Sequence, residues 1–317
     1  MILINKEAKS MINFNFGRIF TSSARAAFLH ILNSKLISNP KQGILLPSYI
    51  GLSYEEGSGI FDPVRSSGIK FRFYSVTDRL VPNLNEIEDF LKSGDFQLFF
   101  LAHYFGIPQV NTEDLVALCN SYGVMVIEDC AHVPIMSELS LDKLGKYGDY
   151  SIFSIHKNTS TKDGGYYYDN KGDLPILLKK ELMISYETLN AFANTKINMA
   201  AEVRLRNYKR IVDVVSNFKH LDLFFNEIPE GLVPLNCPII VGKNMRHNLY
   251  SRLVDNGIMP TALYHRLIPE ITKKQFPASH FLAENILNLP THPDIDSKIL
   301  PLYLEKLVTV IKAVFNE

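Results

Sequence analysis

Residues 96–132 read FQLFFLAHYFGIPQVNTEDLVALCNSYGVMVIEDCAH, and they decide the fold class. FQLFFLA is continuously apolar, as a strand buried on both faces must be. TEDLVALCNSYG places apolar residues at helical spacing and closes on Gly123, and VMVIED is a second buried strand. The same alternation extends in both directions. Upstream, TSSARAAFLHILNSKL sets Ala24, Ala27, Phe28, Ile31 and Leu32 on one helical face, with Thr21, Ser22 or Ser23 available as N-cap. GILLPSY is a short strand ended by Pro47, IKFRFYSV alternates, and NLNEIEDFLKS is helical. Downstream, DYSIFSI is another buried strand. Apolar strands alternating with helices predict a mostly parallel sheet covered on both faces.

After about residue 172 the texture changes. ISYETLNAFANTKINMAAEVRLRNYKRIVDVV reads as helix, much of it as one long element. NEIPEGLVPLNCPIIVG brings Pro-interrupted strands, NMRHNLYSRLVDNG is a helix ended by Gly257, and LPLYLEKLVTVIKAVF is a C-terminal amphipathic helix. The expectation is an α/β protein. A large three-layer domain spans residues 1–215, including a linking helix, and a smaller C-terminal α+β domain spans 216–317.

Composition narrows the function. With 46% apolar and 21% charged residues, the 317-residue chain can bury a sizeable core. Lys+Arg equals Asp+Glu at 33 each, which leaves no electrostatic footprint for nucleic acid or an anionic membrane. No run approaches the ~18 apolar residues of a membrane span, and charges break the N-terminal MILINKEAKSMINFNFGR before a signal-length apolar core forms. Cys119, Cys130 and Cys237 lie far apart without a CxxC, so a reducing cytoplasm is the expected home.

Four stretches carry chemistry, each at a strand end or a helix start, where α/β sheets present their sites. Thr21–Arg25 opens a helix with small hydroxylated residues. Its free N–H groups and dipole suit an anion, and Arg25 adds a charge suited to phosphate; an ordinary capped helix would look the same. His103-Tyr104-Phe105-Gly106-Ile107-Pro108-Gln109 follows the FQLFFLA strand and reads equally as a loop anchor. Glu128, Asp129 and His132 end a buried strand, where charges need partners. A metal reading fails on ligand count, so no metal is expected; a carboxylate meeting a protonated ring nitrogen fits better. Lys157 leaves an apolar strand shortly before Gly164-Gly165, the placement of a Schiff-base lysine whose ammonium pKa must be lowered before it attacks a carbonyl.

In this order, the helix-start anion site, H-Y-F-G-x-P, E-D-x-A-H and F-S-x-H-K…D-G-G resemble the DegT/DnrJ/EryC1/StrS family, the fold type I, pyridoxal 5'-phosphate (PLP)-dependent aminotransferases acting mainly on nucleotide-linked keto sugars. Leu46-Pro47-Ser48-Tyr49, Arg206-Asn207-Tyr208 and Ile286–Pro293 extend the likeness. The resemblance implies that Lys157 bonds the cofactor and shuttles protons, and that Asp129 pairs with the pyridinium nitrogen. His132 would stand near the ring hydroxyl, and Ser154 with Ala24 and Arg25 would hold the phosphate. Tyr49 is the nearest candidate to stack on the ring, since Gly51 stands where an aromatic residue is common. Glu128 and His103 would orient that shell. Ser154 and Lys157 are only three apart, closer than the family's usual spacing, which leaves Lys162 as the rival lysine. The segment by which a neighbouring subunit reaches the site has no clear counterpart; Asn190, Asn194 and Asn198 lie in its region. The expected activity is transfer of an amino group from an amino acid, glutamate by the family's habit, to a keto sugar, by a cytoplasmic homodimer. A dehydratase-like PLP enzyme and a non-catalytic binding or regulatory protein on the same fold are the alternatives.

Overall fold

The computed structural model describes residues 17–38, 42–134, 144–159, 161–175, 178–195, 197–242 and 244–316. Residues 1–16, most of the N-terminal stretch read above for a signal, lie outside them, as does the Asn198 side chain. A seven-stranded sheet runs β1 (Arg18–Thr21), β7 (Gly165–Asp169), β6 (Tyr150–Ser154), β5 (Met125–Asp129), β4 (Phe96–Ala102), β2 (Gly43–Pro47), β3 (Phe71–Tyr74). β2 through β6 pair in parallel, while β7 lies antiparallel to both β6 and β1. The strands expected from GILLPSY, IKFRFYSV, FQLFFLA, VMVIED and DYSIFSI are those of the parallel part. β4 and β6 are buried along their whole length, the burial their apolar runs imply.

Helices α1 (Ala24–Ser38), α2 (Phe61–Ser67), α3 (Leu84–Lys92) and α4 (Thr112–Ser121) occupy the crossovers. In α1 the expected stripe holds: Ala27, Phe28, Ile31 and Leu32 are fully enclosed, each large apolar member contributing about 1.5–3 kcal/mol of burial. Ser23 is the N-cap, its Oγ accepting the Ala26 N–H at 3.1 Å. Asn83 and Asn111 cap α3 and α4 in the same way.

The long helix expected from 184 to 215 is two: α5 (Tyr186–Ala193) and α6 (Ile197–Val215). The break falls at Asn194, whose side-chain amide turns back to the Asn190 carbonyl at 2.7 Å. Further on come β8 (Leu221–Leu223), β9 (Cys237–Val241), α7 (Arg246–Asp255), α8 (Pro277–Asn285), β10 (Ile286–Leu289) and α9 (Leu300–Phe315). β8, β9 and β10 form a small antiparallel sheet, and its core draws Tyr208, Ile211 and Val215 from α6. The linking helix therefore serves the second core as well.

The second half of the chain also returns to the first. Ile268, Ile271, Phe276 and Leu282 are enclosed in the core of the large sheet. The strap that carries them is tied to the segment after β2: the Leu52 N–H donates to the Arg266 carbonyl at 2.9 Å, and the Ile268 N–H to the Ile50 carbonyl at 3.1 Å.

Candidate active site

A cavity of about 920 Å³ opens at the C-terminal ends of β5 and β6, the edge where parallel sheets of this kind take their ligands. Its wall combines Ser22–Arg25 at the start of α1, Gly51–Gly57 after β2, Asp129, Ala131 and His132 after β5, Ser154, His156 and Lys157 around the end of β6, and Thr261–His265 from the strap.

Asp129 is the last residue of β5. Its Oδ1 accepts the Ala131 N–H at 2.9 Å, and no hydrogen bond from the described residues reaches Oδ2. Burial pushes its carboxyl above the ordinary aspartate value, while the Ala131 N–H, Lys157 and His103 pull against that rise. Lys157 lies three residues beyond the end of β6 and is exposed, but to the cavity it lines. The protein around that cavity still strips enough water from its ammonium to lower its pKa; Asp129 and Glu56 oppose the shift and Arg25 adds to it. An acid and an amine each pushed toward the neutral form on one wall are the material of proton transfer.

His132 sits on the same wall, 8% exposed. Burial, reinforced by Lys157, holds its pKa well below 6.5, so the ring is neutral at pH 7. The Phe105 N–H donates to its Nδ1 at 3.3 Å, which leaves the ring proton on Nε2. That donor is aimed by the H-Y-F-G turn, where Phe105 and Gly106 both have positive φ (60° and 81°). A Cβ on Gly106 would meet the His132 carbonyl oxygen at 2.6 Å, so only glycine lets the turn close against this loop.

The Gly164-Gly165 pair has a similar reason. Gly165 is in register with Ser154 on one side and Thr21 on the other. A Cβ there would overlap the backbone at Ser23 and Ala24 and lie 2.8 Å from the Phe153 carbonyl oxygen. Its absence lets the first turn of α1 rest on the sheet. No hydrogen bond from the described residues takes the backbone N–H of Ala24 or Arg25, so the helix start offers donors and a positive dipole end to an anion. The Arg25 guanidinium, by contrast, is engaged: it donates to the Glu56 carbonyl at 2.7 Å and lies 3.4 Å from the Asp62 carboxylate. It pins the 53–57 loop, so the anion-binding capacity of position 25 rests on its backbone N–H. Ser154 is buried, 3.2 Å from the Nδ1 of His156.

Two expectations change here. Tyr49 is fully buried and is not on the cavity wall; its hydroxyl donates to the Leu263 carbonyl at 2.7 Å, and the ring that faces the cavity on that side is Tyr264. Glu128 and His103 stand behind the site. The His103 Nε2 is 2.8 Å from Glu128 Oε2, and the N–H groups of Gly145, Tyr147 and Gly148 donate to the same carboxylate at 2.7–2.9 Å. Cys130 brings a third ligand atom within 4.8 Å of this pair, but both Glu128 oxygens are filled and burial keeps the thiol protonated. Glu128, steadied by His103, clamps the 145–148 loop to the strand ends.

Lys162 and Asp163 also line the cavity, and the Ser185 and Thr188 hydroxyls at the start of α5 hold Asp163. Sequence reasoning missed Tyr264 and its neighbours, which come from a stretch without a motif.

Residues 62–186, which include β3 through β7, match the model of the DegT/DnrJ/EryC1/StrS aminotransferase family. That stretch of the chain is similar to the family. No curated protein sequence matches the chain. Among solved structures it is similar to the aminotransferase TlmJ from Streptoalloteichus hindustanus, at 18% identity and TM-score 0.71 over 94% of this chain and 87% of that one. PseC of Helicobacter pylori, an aminotransferase involved in pseudoaminic acid biosynthesis, superposes with TM-score 0.72 at 13% identity over 93% and 87%. Spr1654 from Streptococcus pneumoniae, solved in PLP and PMP forms, gives TM-scores of 0.71 and 0.72, each at 13% identity; the PLP form covers 94% of this chain and 87% of that one. At such identities the likeness establishes the fold: this chain shares the scaffold of these aminotransferases.

Proposed function

We propose that this protein is a PLP-dependent aminotransferase of the DegT/DnrJ/EryC1/StrS family that moves an amino group from an amino acid, glutamate, to a nucleotide-linked keto sugar. One observation carries the reading: Asp129, with an oxygen that no described donor reaches, shares a cavity with the desolvated amine of Lys157 and the neutral ring of His132.

These residues fit the cofactor. A half-buried carboxylate with a spare oxygen suits a protonated ring nitrogen. A neutral Nε2–H suits a ring hydroxyl, and the open N–H groups at the start of α1, beside Ser154, suit a phosphate. A cavity of about 920 Å³ leaves room for a substrate as well. When bound, PLP supplies an aldehyde that accepts nitrogen and a ring that withdraws electrons from the carbon being deprotonated.

The chain's own residues do the rest. Asp129 would hold a proton on the ring nitrogen. That positive partner would favour its ionised form against the desolvation that raises its pKa. Lys157, whose ammonium pKa is lowered by desolvation at the cavity wall, would give up its proton more readily than a free lysine, bond the aldehyde, and then take and return a proton while donor and acceptor occupy the cavity in turn. His132 donates from Nε2 without changing charge. The same reading makes the chain a cytoplasmic homodimer, in keeping with its three free, buried cysteines.

The test is chemical. Protein loaded with PLP and treated with borohydride is expected to carry the reduced cofactor on Lys157 in a peptide mass map. An adduct on Lys162, or none, overturns the assignment. Transfer of nitrogen-15 from labelled glutamate to a keto sugar nucleotide separates transamination from dehydration on the same scaffold.

A further inference from the structure

The wall opposite the strand ends has an unusual construction. Gly51, although its φ is not positive, cannot carry a side chain: a Cβ there would overlap the Tyr264 ring, with Cγ 2.5 Å and Cβ 2.8 Å away. The Tyr264 ring thus fills the space where a side chain of residue 51 would stand. It reaches that space from a backbone with φ +52°, the left-handed region that bulky residues rarely occupy. Such a conformation persists only where its surroundings over-determine it, and here they do. The Tyr49 hydroxyl holds the Leu263 carbonyl, and the Leu52 N–H holds the Arg266 carbonyl. Behind the ring stand Tyr49 at 5.3 Å and Tyr104 at 6.4 Å between centroids, both enclosed, and the Tyr104 hydroxyl donates to the Tyr49 carbonyl at 2.5 Å. Tyr264 itself is only half-buried and lines the cavity together with Asp129 and Lys157.

We propose that Tyr264 is the aromatic platform on which the cofactor's ring lies, supplied by the strap from the second half of the chain in the volume left by Gly51. The inference rests on the PLP reading and adds to it the residue that grips the ring. A planar, positively polarised pyridine beside a supported phenol face gains offset stacking. The Tyr49–Tyr104 pair behind it keeps that face from retreating.

The experiment measures pyridoxamine 5'-phosphate affinity by equilibrium dialysis. This ligand has no aldehyde, so the result depends neither on Lys157 nor on turnover. Tyr264→Phe is expected to bind as the unaltered chain does, and Tyr264→Leu about tenfold more weakly, as loss of an aromatic pair implies. Tyr264→Gly, which also removes the Cβ 2.8 Å from where a residue-51 Cβ would stand, is expected to weaken binding likewise and to recover most of the affinity when Gly51→Phe is added. Gly51→Phe alone is expected to weaken binding, since two rings compete for one space. Thermal melts of each variant separate misfolding from lost contact, and Tyr264→Met replaces Tyr264→Leu if the latter does not fold. Unchanged affinity in the folded leucine or methionine variant, or no recovery on adding Gly51→Phe, overturns the proposal. If the unaltered chain does not bind pyridoxamine phosphate at all, the PLP reading itself fails, and this inference with it.

Discussion

Asp129 is held in a costly state for a purpose that burial alone does not serve. Its carboxyl pKa is raised in the folded chain, chiefly by desolvation. Between the unfolded value, about 3.9, and that raised value the native protein binds more protons than the unfolded one. Stability therefore falls as pH climbs through that window, and the whole penalty is present above it. Asp129→Asn is expected to raise the melting temperature of the ligand-free protein at pH 7 by about 2 °C or more. The gap should close as pH approaches 4, and pyridoxamine phosphate binding should be weakened. A variant no more stable than the parent at pH 7 would mean that the cavity hydrates this carboxylate fully.

At the level of elements, the meeting of β7, β6 and α1 sets the anion-binding end of the cavity. Gly165→Ala forces a methyl group into the backbone at Ser23 and Ala24. The expected outcome is a loss of roughly 1–3 kcal/mol, as for other overpacked sites, read by denaturant titration, together with weaker phosphate-ligand binding. The parallel strands and their helices were legible in the sequence because each apolar run lies between turn signals. β1 and β7 were not. RIFT is only four residues long, and GYYYD follows a Gly-Gly pair that reads first as a turn. The α5–α6 break was hidden because Asn194 and Thr195 interrupt no apolar period; only the back-bonded Asn194 side chain marks it. Asp129, His132, Ser154 and Lys157 were legible because each sits at or just beyond a strand end. Tyr49 misled because proximity in sequence to Gly51 says nothing about which ring a strap from residues 261–268 lays over it.

For the whole molecule, the cavity is built by both halves of the chain. The large sheet supplies Asp129 and Lys157, while Thr261–His265 close the wall and continue into Ile268 and Ile271 in the large core. A ligand filling the cavity touches both parts, so its binding energy adds to the cohesion between them. Saturating pyridoxamine phosphate is expected to slow proteolysis in the 255–275 region several-fold while leaving cleavage at the exposed α9 surface unchanged. Equal protection everywhere would indicate global stabilisation without a bridging contact.

The strap also imposes a timetable. A nascent chain leaves the ribosome N-terminus first, and domains condense in that order. The acid and the lysine can be in position well before Tyr264 has been translated, yet until then the pocket lacks one side. Capture of a vitamin-derived ring would thereby be deferred until residues 261–265 have been made, and a product terminated before them would compete poorly for a scarce coenzyme.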